Sequence, residues 1–179
     1  FDYIILSPGI DIKNCTLKNY LSKNLKSIIT ELDIFYLSYP NNIKVTITGT
    51  NGKSTSCQML YNIFNLRKFD VRLVGNIGKP PLKEKKIKKK TIFIIEGSSY
   101  QIFYNKYFKT DYAIILNLSV DHLERHRNIK QYAEAKIKLI SDQKKNKLSF
   151  IEKNSIIINK YILKKEIKSK VVKLAYNKI

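Results

Sequence analysis

Residues 43–64 read IKVTITGTNGKSTSCQMLYNIF, and the break in the middle of this stretch decides the fold. It opens with a β-branched run, which is a strand signal. It closes with Cys57, Leu60, Tyr61 and Phe64, the i, i+3, i+4, i+7 spacing of a helix with one buried face. Between them lies Gly49-Thr50-Asn51-Gly52-Lys53-Ser54-Thr55. Glycines let a backbone curl so that its N–H groups meet phosphate oxygens, and a helix N-terminus adds a favourable dipole. Lys53 is then expected to pair with terminal phosphates and the Ser54 hydroxyl to ligate Mg²⁺. A plain glycine turn between strand and helix does not call for Lys-Ser-Thr at the helix start. The usual phosphate loop has four residues between its glycines, whereas Gly49 and Gly52 enclose two, so a narrower family is indicated.

Outward from this loop, apolar strands alternate with helices. Strands are expected at 71–74, 91–95 and 112–116, and a helix at 129–140. Further strand-like pieces lie at 148–151, 155–158 and 171–174. Before the loop, residues 1–6 read as a strand running into the turn Ser7-Pro8-Gly9-Ile10, followed by a short helix within 16–26, a strand at Ile28-Ile29 and a helical turn at 31–37. Tyr39-Pro40-Asn41-Asn42 breaks both periodicities and marks a boundary between a domain at 1–38 and one at 39–179. The alternation predicts an α/β fold with a mostly parallel sheet covered by helices on both faces. Ligands of such sheets bind outside the carboxyl ends of the strands. The loop, Asn76, Glu96 and Asp121-His122 all follow such an end.

Glu96 closes an Ile-Phe-Ile-Ile run, where a carboxylate is suited to hold Mg²⁺ opposite phosphates and is otherwise a charge facing water. His122 is read equally as a metal ligand or a satisfied histidine. Lys136 falls on the helix face of Ile129, Tyr132, Ala133 and Ile140. There its ammonium must be paired, modified, or snorkelled to solvent.

The formal net charge of +20 raises the alternative of a basic nucleic-acid-binding module. Its densest run, KEKKIKKK at 83–90, lacks interleaved aromatics and reads as a solvated loop. No apolar run approaches the ~20 residues that span a bilayer. The two cysteines form no metal or redox spacing and no signal peptide is visible, which predicts a reducing, cytoplasmic setting.

Taken together the sequence resembles the Mur ligases, most closely their D-glutamate-adding branch. The matching segments are SPGI at 7–10, TGTNGKST at 48–55, GNIGKPPL at 75–82, EGSSYQ at 96–101, NLSVDHLERH at 117–126 and YAEAK at 132–136. The likeness runs to about residue 158. Gly97 stands where the family usually has leucine, and Tyr100 where it has phenylalanine. The resemblance implies a phosphate-loop central domain, preceded by the end of a Rossmann-like domain. Gly49, Thr50, Asn51, Gly52, Lys53, Ser54 and Thr55 would bind ATP. Ser54 and Glu96 would hold one Mg²⁺, and His122 with a carbamylated Lys136 a second. Ser7, Pro8, Gly9, Asn76 and His122 would line the UDP-N-acetylmuramoyl-L-alanine site, and Lys53, Glu96, His122 and Lys136 would serve catalysis. The family's later adenine-contacting segment and amino-acid-binding domain have no counterpart in the 179 residues, so the resemblance implies an incomplete copy, inactive by itself. The expected partners are UDP-N-acetylmuramoyl-L-alanine and D-glutamate, with no nucleic acid or membrane, acting on a monomer. Other Mur ligases and the folylpolyglutamate synthetases share the nucleotide loop and are the alternatives within the superfamily.

Overall fold

A computed structural model of the chain describes residues 1–119 and 126–175. It begins with β1 (Ile4–Ile5), α1 (Lys18–Lys23), β2 (Ile28–Ile29) and α2 (Glu31–Ser38), with β1 and β2 forming a separate parallel pair. The strand expected at 1–6 is thus shorter than its apolar run, although Leu6 N–H still donates to the Ile29 carbonyl. Next come β3 (Lys44–Thr48), α3 (Lys53–Leu66), β4 (Val71–Gly75), β5 (Ile92–Glu96) and α4 (Ser99–Phe103). The remainder is β6 (Tyr112–Ile115), α5 (Ile129–Ser141), β7 (Leu148–Glu152), α6 (Ile156–Ile162) and β8 (Lys170–Leu174).

Strands β3 to β8 form one sheet in the order β4-β5-β3-β6-β7-β8, with every pairing parallel. Alternation along β5 divides its side chains between two cores. Ile92 and Ile94 pack with Val45, Ile47 and Cys57 under α3. Phe93 and Ile95 face the other core, with Leu32 and Phe35 of α2, Ile102 of α4, Ile137 of α5 and Ile158 of α6. The Phe35 ring meets Phe93 edge-on at 4.7 Å, a geometry worth about 0.5–1.5 kcal/mol beyond area burial. Asn42 is also tied in, its amide donating to the Lys88 and Thr91 carbonyls at 2.9 Å.

One expected strand is a helix. Residues 155–158 read as strand-like because of the Ile156-Ile157-Ile158 run, yet they open α6. Ser155 Oγ accepts the Ile158 N–H at 3.3 Å as an N-cap. Ile158, Tyr161 and Ile162 then form the buried face at i, i+3, i+4. Because β7 and β8 are parallel neighbours, they need a crossover, and a helix supplies it. Propensity yields here to connectivity.

Helices α3 and α4 leave the adjacent strands β3 and β5 on opposite faces. Such a divergence opens a crevice at the strands' carboxyl ends. Ile47 of β3 is in register with Glu96 of β5, so the phosphate loop and the carboxylate arrive side by side.

Candidate active site at the carboxyl edge of the sheet

Gly52 is the N-cap of α3 at φ +79°, a left-handed conformation that glycine adopts without strain. Lys53 is the first helical residue, and its Nζ donates to the Thr50 carbonyl at 2.7 Å. The N–H groups of a helix's first turn have no partner within the helix, which suits this end of α3 to an anion. Thr50 is buried, and its hydroxyl lies 3.1 Å from the Tyr132 hydroxyl of α5.

Glu96 is 1% exposed, so the water-facing reading is excluded. Its Oε2 accepts from Ser54 Oγ and its Oε1 from Asn76 Nδ2, each at 2.8 Å. The Asn76 N–H also donates to the Glu96 carbonyl at 3.0 Å. Gly75 permits this approach. It has φ +105°, and a Cβ there would lie 2.4 Å from the Glu96 carbonyl oxygen. Beneath, burial and then the Glu96 charge push the Cys57 thiol up to about 12, leaving it an inert core residue.

Lys136 is also 1% exposed and does not snorkel. Its Nζ donates to the Gly49 carbonyl at 2.9 Å and to Thr48 Oγ1 at 3.2 Å, and lies 4.7 Å from the Tyr132 ring centroid. The structure therefore joins Gly49, Thr50, Lys53, Ser54, Asn76, Glu96 and Lys136 in one neighbourhood. His122 lies outside the described residues. Ser7, Pro8 and Gly9 form a turn closed by the Ile10 N–H on the Ser7 carbonyl. Among the described residues no hydrogen bond links their side chains to the loop, Asn76 or Glu96.

Two features of this edge escape sequence reading. Asn117 Oδ1 accepts the N–H groups of Thr50 at 3.1 Å and Asn51 at 2.9 Å, and its Nδ2 donates to the Asn51 carbonyl at 3.1 Å. In sequence it is a polar residue at a strand end and the first of the matching segment 117–126, with nothing to show what it holds. His126 is buried, with Nε2 2.9 Å from Ser99 Oγ and its ring stacked on Tyr100 at 5.3 Å. Ser98 and Gln101 form a capping box at the start of α4: Ser98 Oγ accepts the Gln101 N–H at 3.2 Å, and Gln101 Oε1 accepts the Ser98 N–H at 3.0 Å. The lysines of 83–90 are exposed on the loop before β5, with Ile87 docked on the core.

This geometry has relatives. Two are enzymes named UDP-N-acetylmuramoylalanine--D-glutamate ligase. That of Rickettsia prowazekii (strain Madrid E) is 31% identical over 99% of this chain and 40% of its own length. That of Elusimicrobium minutum (strain Pei191) is 36% identical over 94% of this chain and 38% of its own. The chain thus spans about two fifths of the length of these curated relatives. Among solved structures, the UDP-N-acetylmuramate:L-alanyl-gamma-D-glutamyl-meso-diaminopimelate ligase from Neisseria meningitides aligns with TM-score 0.67 at 15% identity, over 96% of this chain and 58% of that one. The MurF ligase from Thermotoga maritima, solved in complex with ADP, aligns with TM-score 0.62 at 18% identity, over 88% and 44%. At these identities the structural likeness concerns the fold. Residues 47–178 match the Mur ligase middle domain, from the end of β3 onward, which takes in the loop, Asn76, Glu96 and Lys136. With that match covering most of its length, the chain belongs to the Mur ligase family.

Proposed function

We propose that the protein, at its full length, is an ATP-dependent amide ligase that joins D-glutamate to UDP-N-acetylmuramoyl-L-alanine in peptidoglycan synthesis. The observation that carries this reading is the buried Glu96 carboxylate, held 2.8 Å from both Ser54 and Asn76 beside the phosphate loop. The names of the curated relatives support this choice of substrates. Residues 1–38 are taken as the end of the UDP-substrate domain and 39–179 as part of the ATP-binding domain, in a cytoplasmic monomer with no nucleic-acid or membrane partner.

In this reading Lys53 and the start of α3 bind the ATP phosphates. A substrate carboxylate oxygen attacks the terminal phosphorus and ADP leaves, giving an acyl phosphate. The D-glutamate amine attacks the acyl carbon, and the tetrahedral intermediate expels phosphate as the amine loses its proton. Ser7, Pro8, Gly9, Asn76 and His122 orient the UDP substrate. The donor set of Ser54 hydroxyl and Glu96 carboxylate fits a hard cation, and these two would hold the first Mg²⁺. His122 and Lys136 would hold the second, with the Lys136 amine converted by CO₂ to a carbamate with loss of one proton. Bound Mg²⁺ supplies charge neutralisation on the phosphates.

The test is phosphate release by the full-length protein with ATP, Mg²⁺ and UDP-N-acetylmuramoyl-L-alanine. Release should require D-glutamate and should fall at least a hundredfold in Lys53→Ala. Release supported equally by another amino acid, or by a folate acceptor with glutamate, would move the protein to another branch of the superfamily.

A further inference from the structure

The Thr50–Asn51 peptide is held at both ends. Its carbonyl accepts the Lys53 ammonium at 2.7 Å, and its N–H donates to Asn117 Oδ1 at 2.9 Å. A trans peptide is a rigid plate whose C=O and N–H point in opposite directions, so fixing one end aims the other. Asn117 grips the flanking groups too. Its Oδ1 accepts the Thr50 N–H, its Nδ2 donates to the Asn51 carbonyl, and its backbone carbonyl accepts the Thr50 N–H at 3.1 Å. Asn117 follows β6, which pairs with β3 through Thr48 and Ile115, so the sheet itself carries the clamp.

We infer that Asn117 is a positioning residue for ATP: it orients the Thr50–Asn51 peptide and through it the Lys53 ammonium. The inference rests on reading residues 49–55 as a nucleotide loop. The clamp also gives the short Gly-x-x-Gly spacing a physical sense. The two residues between the glycines direct their N–H groups at Asn117, which leaves phosphate binding to Lys53 and the amides that start α3. An asparagine suits this task because its amide both accepts and donates. A neutral group also adds no negative charge beside a phosphate site.

The experiment is a double-mutant cycle on ATP affinity, measured by calorimetry on the full-length protein without the other substrates. Wild type, Asn117→Ala, Lys53→Ala and the double variant are compared. Asn117→Ala should weaken ATP binding at least tenfold when Lys53 is present and less than threefold when it is absent. In the nucleotide-free protein, exchange of the Asn51 amide should accelerate in Asn117→Ala. Asn117→Ser, whose hydroxyl is too short to bridge both N–H groups and the Asn51 carbonyl, carries the same expectation should the alanine variant not fold. Equal losses in both Lys53 backgrounds, or no loss at all, would overturn the inference. Failure of wild type to bind ATP would instead overturn the nucleotide-loop reading.

Discussion

Lys136 and Gly49 are 87 residues apart in the chain, yet the Lys136 Nζ donates to the Gly49 carbonyl at 2.9 Å. A lysine side chain buried in α5 is thereby fastened to the first residue of the phosphate loop. Its second acceptor, Thr48 Oγ1, itself donates to the Gly97 carbonyl at 2.7 Å. The contact draws α5, β3 and the segment after β5 into one polar cluster beneath the site.

Through this contact, loss of Lys136 is predicted to be felt at the proposed nucleotide loop. Lys136→Ala should lower turnover of the full-length enzyme a hundredfold or more, about 2.7 kcal/mol of barrier. Added acetate should restore part of it, while Lys136→Arg should not be rescued. With ¹³C-bicarbonate, wild type should give a carbamate resonance that the alanine variant lacks. Full activity in Lys136→Ala would reduce the residue to a structural strut.

Glu96 is predicted to act through its charge. Glu96→Gln is nearly isosteric and preserves an oxygen acceptor for Ser54 or Asn76, so thermal melting should change little. The Mg²⁺ concentration giving half-maximal turnover should rise at least about tenfold, because a neutral amide is a far weaker partner for a hard cation. An unchanged Mg²⁺ requirement would assign Glu96 to structure alone.

Asp33 is predicted to matter for stability and not for nucleotide binding. It is fully buried at the start of α2. Its Oδ1 accepts three successive N–H groups, from Lys106, Tyr107 and Phe108, at 2.8, 2.7 and 2.9 Å. Its Oδ2 accepts from Thr30 N–H at 2.8 Å and Thr30 Oγ1 at 3.1 Å. Asp33→Ala strands these buried donors, at a cost of about 3 kcal/mol. Urea denaturation measures the loss, and ATP affinity of the folded variant should stay within about twofold, which is ~0.4 kcal/mol.

Lys44 predicts a pH dependence. It is buried at the start of β3, with its Nζ donating to the Asn42 carbonyl at 2.8 Å. Burial pushes its pKa down to about 8, against the pull of Asp111 and with help from Lys144 and Lys147. The folded-state value lies below the unfolded one, so between them the unfolded chain binds more protons and stability rises with pH. Relative to Lys44→Met, wild type should gain stability from about pH 8 to about 10.5, the ordinary lysine value. Urea midpoints across that range give the answer. A stability difference, wild type minus Lys44→Met, that stays constant or falls across that range would show that burial does not lower the Lys44 pKa.

Much of the site was legible before the fold. The strand–loop–helix of 43–64, the residues that follow each strand and the place of Lys136 on a helix face are all written in local spacing. Periods of two and 3.6 residues report which side of an element is buried, and glycines report where the backbone must turn. The same local reading failed at 155–158, where an isoleucine run carries strand propensity and the parallel pairing of β7 with β8 demands a helix.

Other features depended on elements meeting in space. Sequence alone left Glu96 open between a metal ligand and a solvated charge; the register of β5 against β3 brings it to Ser54 across 42 residues. Lys136 was open between pairing, modification and snorkelling, and the packing of α5 beneath Gly49 excludes the last. The Asn117 clamp and the Asp33 anchor give almost no local signal, since a single Asn or Asp has no periodicity to betray it. By itself the sequence determined the family and the strand–loop–helix of 43–64, and it singled out one strand edge as the candidate site, because those are encoded in short stretches. Only the tertiary structure decided which polar groups are partners, because hydrogen bonds between distant segments exist only once the sheet has set their register.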